Sequence, residues 1–172
     1  QYVKSIILFD FDPGKETIGH IIKRAIKELN KDNIETLIIG HSMGGLLAMS
    51  LVEEKNCYHI ITLASPLSGI KIESMFQPFI YARAPILAEL APDSSFIRSL
   101  SKKKYTKRID CLITTKGYNP LITEKSDGVV TLQSQEKWLP ETAVATYVDN
   151  NHYEILQSDQ ALSTIKKALI NQ

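Results

Sequence analysis

The tightest constraint on the fold is a short stretch in which a buried strand runs straight into a helix through a glycine-flanked serine. Thr36-Leu37-Ile38-Ile39 is a compact apolar run that stops at Gly40. Gly40-His41-Ser42-Met43-Gly44 then follows the pattern Gly-x-Ser-x-Gly, and residues 43–52 are nearly all small or apolar. A turn sharp enough to join such a strand to such a helix strains the serine backbone and leaves little room beside it. Gly40, Gly44 and Gly45 supply that clearance. Ser42 would then sit at a helix N-terminus, where partial positive charge favours an oxyanion. The alternative is a glycine-rich turn whose serine merely caps the helix.

The rest of the chain repeats the strand–helix alternation. Apolar runs at 5–9, 59–63, 109–114 and 143–148 read as further strands. Ile18, Ile21, Ile22, Ala25, Ile26 and Leu29 recur at helical spacing, with Lys23, Arg24, Lys27 and Glu28 opposite them. Ser158 can cap a last helix whose inner face would be Leu162, Ile165 and Leu169. The expected fold is α/β: a mostly parallel sheet of about five strands with helices on both faces, in one domain over residues 1–172.

Residues 66–108 break the pattern. They carry Pro66, Pro78, Pro85 and Pro92, with Met75, Phe76, Phe79, Ile80, Tyr81, Ile86, Leu87 and Leu90 between them. An insertion this long and this apolar reads as a cap or lid over the carboxyl ends of the strands, where open α/β sheets bind ligands. The other reading is a small satellite core under a long loop.

A chain of 172 residues with 44% hydrophobic and 23% charged content can bury a real core. A net charge of +1 gives no reason to expect nucleic acid as a partner. The cluster Lys102-Lys103-Lys104, with Lys107 and Arg108, reads as a solvated turn. Cys57 and Cys111 lack metal-type spacing and are expected as two buried thiols. No stretch is long enough to span a membrane and no signal peptide is visible, so a soluble chain is expected, the cytoplasm slightly favoured. The chain starts at Gln1, so processing or truncation of an upstream segment belongs to the expectation.

A serine hydroxyl needs a base to take its proton. Of the four histidines, His20 lies within the first helix and His59 begins a strand. His41 neighbours Ser42, but adjacent side chains on a turn diverge, so it is assigned a supporting place. His152 follows the last strand, on the same rim as Ser42, and is the expected base. The third member should be a carboxylate that holds the imidazole in its working tautomer. Asp127, in Ser126-Asp127-Gly128-Val129-Val130 after the fourth strand, is favoured over Glu124 and Asp149. The order Ser42, Asp127, His152 is the one associated with α/β-hydrolases.

At these residues the sequence resembles the lipase and esterase branch of the α/β-hydrolases, in particular small bacterial lipases and glycolipid-deacylase-like proteins. Gly40-His41-Ser42-Met43-Gly44-Gly45 is similar to their nucleophile elbow. Ala64-Ser65-Pro66-Leu67-Ser68-Gly69 resembles their Thr-Pro-His-x-Gly segment, with Leu67 in place of the histidine. Residues 89–97 resemble a Leu-x-Pro-x-Ser-x-Phe stretch, 126–130 with Ser134 the acid loop, and Asn151-His152 the histidine loop. The likeness spans nearly the whole chain.

The resemblance also implies a strand ending in His-Gly ahead of everything here, whose loop gives one oxyanion-hole N–H. This sequence has no such segment, and residues 5–9 resemble the family's fourth strand rather than its third. Two arrangements follow. An upstream segment of the native protein supplies that strand, which is the favoured expectation, or residues 5–9 fill the vacant place. In the second, the loop Phe11-Asp12-Pro13-Gly14 provides the second donor, from Asp12 or Gly14, because Pro13 has no N–H. The Met43 N–H is an expected donor in both.

The expected function is hydrolysis of an acyl ester through an acyl-enzyme, with Ser42 attacking, His152 shuttling the proton and Asp127 orienting it. A small acyl ester or lipid is the expected substrate, with transient membrane or lipid-surface contact compatible with it, and no metal or organic cofactor is expected. Two alternatives remain. Asp10-Phe11-Asp12 resembles the paired aspartates of Mg²⁺-dependent haloacid-dehalogenase-type phosphatases, although no acidic pair follows on a later loop. A non-catalytic, hydrolase-like binding protein is the other.

Overall fold

In a computed structural model, the structure describes residues 3–72 and 77–170. Its centre is a sheet of four parallel strands in sequence order. These are β1 (Thr36–His41), β2 (Cys57–Leu63), β3 (Arg108–Thr114) and β4 (Ala143–Val148). All four match runs read as strands from the sequence. Because every strand points the same way, the residues that follow β1, β3 and β4 share one rim.

Alternation along the inner strands splits the core in two. Ile60 of β2 and Ile109 and Cys111 of β3 face one cluster, with Ile18, Ile21, Leu46 and Leu47. Ile61 and Leu63 of β2, Leu112 of β3 and Val148 of β4 face the other, with Ala161 and Ala168. Helix α1 (Ile18–Leu29) packs on the first face through Ile18, Ile21 and Ala25. Thr17 starts it by accepting a hydrogen bond from the His20 N–H. Helix α2 (Met43–Ser50) lies beside it, buried from Gly45 through Met49.

Residues 66–108 contribute to this same core. They contain α3 (Gln77–Arg83), α4 (Ile86–Glu89) and α5 (Ser95–Lys102). Ile86, Leu90, Ile97 and Leu100 are buried with the α1 and α2 residues. From residue 86 onward the segment is therefore the packed crossover from β2 to β3. Met75 and Phe76 lie outside the described residues. Helix α6 is Leu132–Glu136, and on the opposite face a 3-10 turn (Glu154–Gln157) leads into α7 (Asp159–Ile170). Ser158 Oγ accepts from the N–H groups of Gln160 (3.2 Å) and Ala161 (3.3 Å), the cap read from the sequence. The inner face of α7 differs from the expected one: Ala161 and Ala168 are buried, Ile165 is half-buried and Leu162 is 49% exposed.

The fifth strand is a correction. Residues 5–9 form no strand, and Ile6, Ile7 and Leu8 are 82%, 57% and 91% exposed. A strand exists only by pairing, and among the described residues β1 bonds only to β2. Val3 to Ile6 instead line a cleft with Lys166, Leu169 and Ile170 of α7. Phe9 and Phe11 pack toward α1, with the Arg24 guanidinium 5.1 Å from the Phe9 ring and donating to the Asp10 carbonyl at 2.8 Å. The segment thus passes between elements on opposite faces without joining the sheet, and the arrangement with 5–9 in a vacant strand position is not observed.

Candidate active site

Ser42 sits between β1 and α2 with φ 53° and ψ −125°. A left-handed φ at a non-glycine residue costs on the order of 1–3 kcal/mol and persists only where the surroundings enforce it. Here the Ser42 N–H donates to the Leu63 carbonyl at 2.8 Å, and the Gly45 N–H to the Ser42 carbonyl at 3.0 Å. The glycines divide. A Cβ on Gly40 would overlap the Gly44 carbonyl, and one on Gly45 would overlap Ser65 Oγ, whereas one on Gly44 would meet nothing within 4 Å. Two of the three glycines therefore give the clearance expected of all three. Ser42 occupies the N-cap position of α2, yet its side chain makes no capping bond. A serine retained only as a cap would place its oxygen on the first free N–H groups.

The acid and the histidine meet. His152 is 3% exposed, and its Nδ1 donates to Asp127 Oδ2 at 2.8 Å. The His152 N–H also donates to the Asp127 carbonyl at 3.1 Å, so backbone and side chain hold the two loops together. Asn151 shapes the histidine loop, its Oδ1 accepting from the Tyr153 and Glu154 N–H groups, both at 2.9 Å. With Nδ1 committed to the carboxylate, Nε2 carries the lone pair that could accept a proton.

Asp127 is 1% exposed and heavily bonded. Oδ1 accepts from the N–H groups of Val129 (3.0 Å) and Val130 (2.7 Å). Oδ2 accepts from Thr114 Oγ1 (2.5 Å) and Gln135 Nε2 (3.3 Å) as well as from His152. Burial pushes the Asp127 carboxyl up, but these donors, His152 first, outweigh it and hold it below its ordinary value. Glu124 and Asp149, the competing carboxylates, are exposed.

No hydrogen bond joins Ser42 Oγ to His152 among the described residues. Their connection runs through His41, whose Nε2 donates to the His152 carbonyl at 2.8 Å, with its ring 4.8 Å from the His152 ring. Burial lowers the affinity of His41 for a proton, against the opposing pull of that carbonyl. A Ser–His bond often tightens only once substrate is bound. Thr114 and Gln135 were not singled out from the sequence. Neither residue type at that distance from an aspartate carries a spacing signal.

The expected second oxyanion donors are not free. The Asp12 N–H donates to Glu16 Oε2 at 3.0 Å and the Gly14 N–H to Asp12 Oδ1 at 2.9 Å, both in an exposed turn. That corrects the assignment of Asp12 to the oxyanion site. The Met43 N–H, at the first position of α2, donates to no such partner among the described residues. As for the phosphatase alternative, the Asp12 carboxylate is taken by Gly14 and by Lys15 at 3.1 Å. Among the described residues no group of three or more His, Cys, Asp or Glu side chains could hold a metal ion.

The profile of the family described as "Serine aminopeptidase, S33" matches residues 17–136, from the start of α1 to the end of α6. The chain is an α/β-hydrolase and belongs to that family. The matched span includes Ser42 and Asp127 and stops short of His152. No curated protein matches the hydrolase in sequence. Among solved structures it is similar to a hydrolase from Pseudomonas aeruginosa PA01, at a TM-score of 0.64 and 10% identity over 95% of this chain and 75% of that one. A monoacylglycerol lipase from Paleococcus ferrophilus gives 0.60 and 10% over 91% and 75%. An esterase from Exiguobacterium antarcticum gives 0.61 and 9% over 95% and 77%. At these identities the likeness is one of fold.

Away from the rim, the remaining histidines and thiols are accounted for. His59 is buried and bonds Asp110 Oδ2 at 2.6 Å between β2 and β3, and His20 lies by Glu16 on the surface of α1. Cys57 and Cys111 are free and buried, and burial pushes both thiols up to about 11. No helix among the described residues is long and apolar enough to cross a membrane.

Proposed function

We propose that the hydrolase cleaves a carboxylic ester through an acyl-enzyme, with Ser42 as nucleophile, His152 as general base and acid, and Asp127 as the orienting carboxylate. The observation that carries this reading is the buried His152–Asp127 pair on the rim that Ser42 enters in a strained, uncapped conformation. His152 Nε2 takes the Ser42 proton as Oγ attacks the acyl carbon. The ionised Asp127 favours the imidazolium that results, and does not itself take the proton. The imidazolium then protonates the leaving alkoxide, and water repeats the cycle on the acyl-enzyme. The Met43 N–H, first in α2, faces the developing oxyanion, where one such donor is worth about 10²–10³ in rate. The monoacylglycerol lipase and the esterase among its structural neighbours support an acyl ester as the substrate class.

p-Nitrophenyl esters of increasing acyl length test this. The expected result is turnover that depends on chain length and falls at least about 10⁴-fold in Ser42→Ala. Equal turnover by the variant would contradict it, and a flat response to chain length would count against an acyl-binding cap. One observation favours a second reading, a hydrolase-like binding protein: Asp12 and Gly14, the expected second donors, are both engaged elsewhere.

A further inference from the structure

Beneath the His152–Asp127 pair lies a second buried unit that the reaction as written does not use. Thr114 ends β3 and is fully buried, and Gln135 in α6 is 1% exposed. The Gln135 amide pairs with the backbone of Thr114 as a neighbouring strand would. Oε1 accepts the Thr114 N–H at 2.9 Å and Nε2 donates to the Thr114 carbonyl at 3.1 Å. This pairing closes the ladder at the end of β3 and leaves the second Nε2 hydrogen directed at Asp127 Oδ2. The Thr114 hydroxyl has one proton and two acceptors in reach. Asp127 Oδ2 is at 2.5 Å and Gln135 Oε1 at 3.2 Å, so the proton goes to the carboxylate.

We infer that Thr114 and Gln135 are positioning residues that keep Asp127 ionised and its Oδ2 aimed at His152 Nδ1. The inference deepens the proposed reaction and rests on that reading for its kinetic test. Two neutral donors share the oxygen that His152 uses. They spread its charge, lower its basicity and fix its rotamer, so that it orients the imidazole without drawing off the proton. Among the described residues, the titratable groups facing Asp127 are His152, from the loop after β4, and His41, at the end of β1.

Thr114→Val keeps the shape, leaves the Gln135 pairing to the backbone intact and removes one donor from Oδ2. A more basic carboxylate holds the His152 proton harder. The acid limb of the fluorophosphonate-labelling rate should therefore move to higher pH, by up to about one unit, with a rate up to about tenfold lower on that limb. The downfield proton resonance of His152 Nδ1–H should move further downfield. Thr114→Ser, which restores the hydroxyl, should return both. If the valine variant does not fold, Thr114→Ala removes the same donor without bulk. A purely structural role would lower the melting temperature and leave the limb and the resonance where they are, and that result overturns the inference. The two claims separate cleanly. A wild-type serine that fails to label refutes the proposed reaction, while the Nδ1 resonance still supports the inference if it moves and overturns it if it does not.

Discussion

At the scale of single residues, the site depends on how little space surrounds Ser42. Its left-handed backbone is held by bonds to Leu63 and Gly45, and the glycines that make room are Gly40 and Gly45. Gly45→Ala should destabilise the protein by about 1–3 kcal/mol, because its Cβ would run into Ser65. Gly44→Ala, facing open space in the first turn of α2, should be neutral or stabilising by up to about 1 kcal/mol. Chemical denaturation of the two variants checks the pair, and equal losses would contradict the assignment. The pattern Gly-x-Ser-x-Gly announces the need for clearance but not which glycine provides it. That depends on Ser65, which comes from the loop after β2 and is remote in sequence. The same limit hid Thr114 and Gln135, whose significance lies wholly in where the Asp127 loop folds back on them.

At the scale of elements, four apolar runs became strands because each found a neighbour, and the run at 5–9 did not. Composition shows what could be buried, whereas pairing decides what is. Helix α7 gives the related lesson about helical faces. Leu162 has the right spacing for the core, but the close approach of the helix to β2 selects the small residues Ala161 and Ala168. Leu162→Lys should change stability by less than about 0.5 kcal/mol. Ala168→Lys should cost about 1–3 kcal/mol through overpacking. The reverse ranking in thermal or urea denaturation would return Leu162 to the inner face. In residues 66–108 the prolines and apolar residues were visible, but not that Ile86, Leu90, Ile97 and Leu100 join the main core. Density of apolar residues does not say which surface they cover.

At the scale of the whole molecule, three loops from separate parts of the chain meet on one rim, and their buried ionisable groups tie the fold to pH. Burial lowers the proton affinity of His59, against its bond to Asp110, and of His41. The unfolded chain therefore takes up protons that the folded one resists. Stability should be fully present above about pH 6.5 and fall as pH drops through the lowered folded values. Asp127, held below its ordinary value, adds a second loss as pH falls further through its depressed folded value. A melting temperature that rises on acidification from pH 7 to 5 would contradict this. Chain order and the alternation of elements let the loops after β1, β3 and β4 be assigned to one end of the sheet in advance, since successive parallel strands deliver their following loops to the same end. The measurement that tests the central claim most directly is intact-mass analysis after treatment with a fluorophosphonate, comparing wild type with Ser42→Ala. The account predicts a single adduct on the wild-type chain and none on the variant. An unlabelled but folded wild type, or an adduct that survives the substitution, would contradict it.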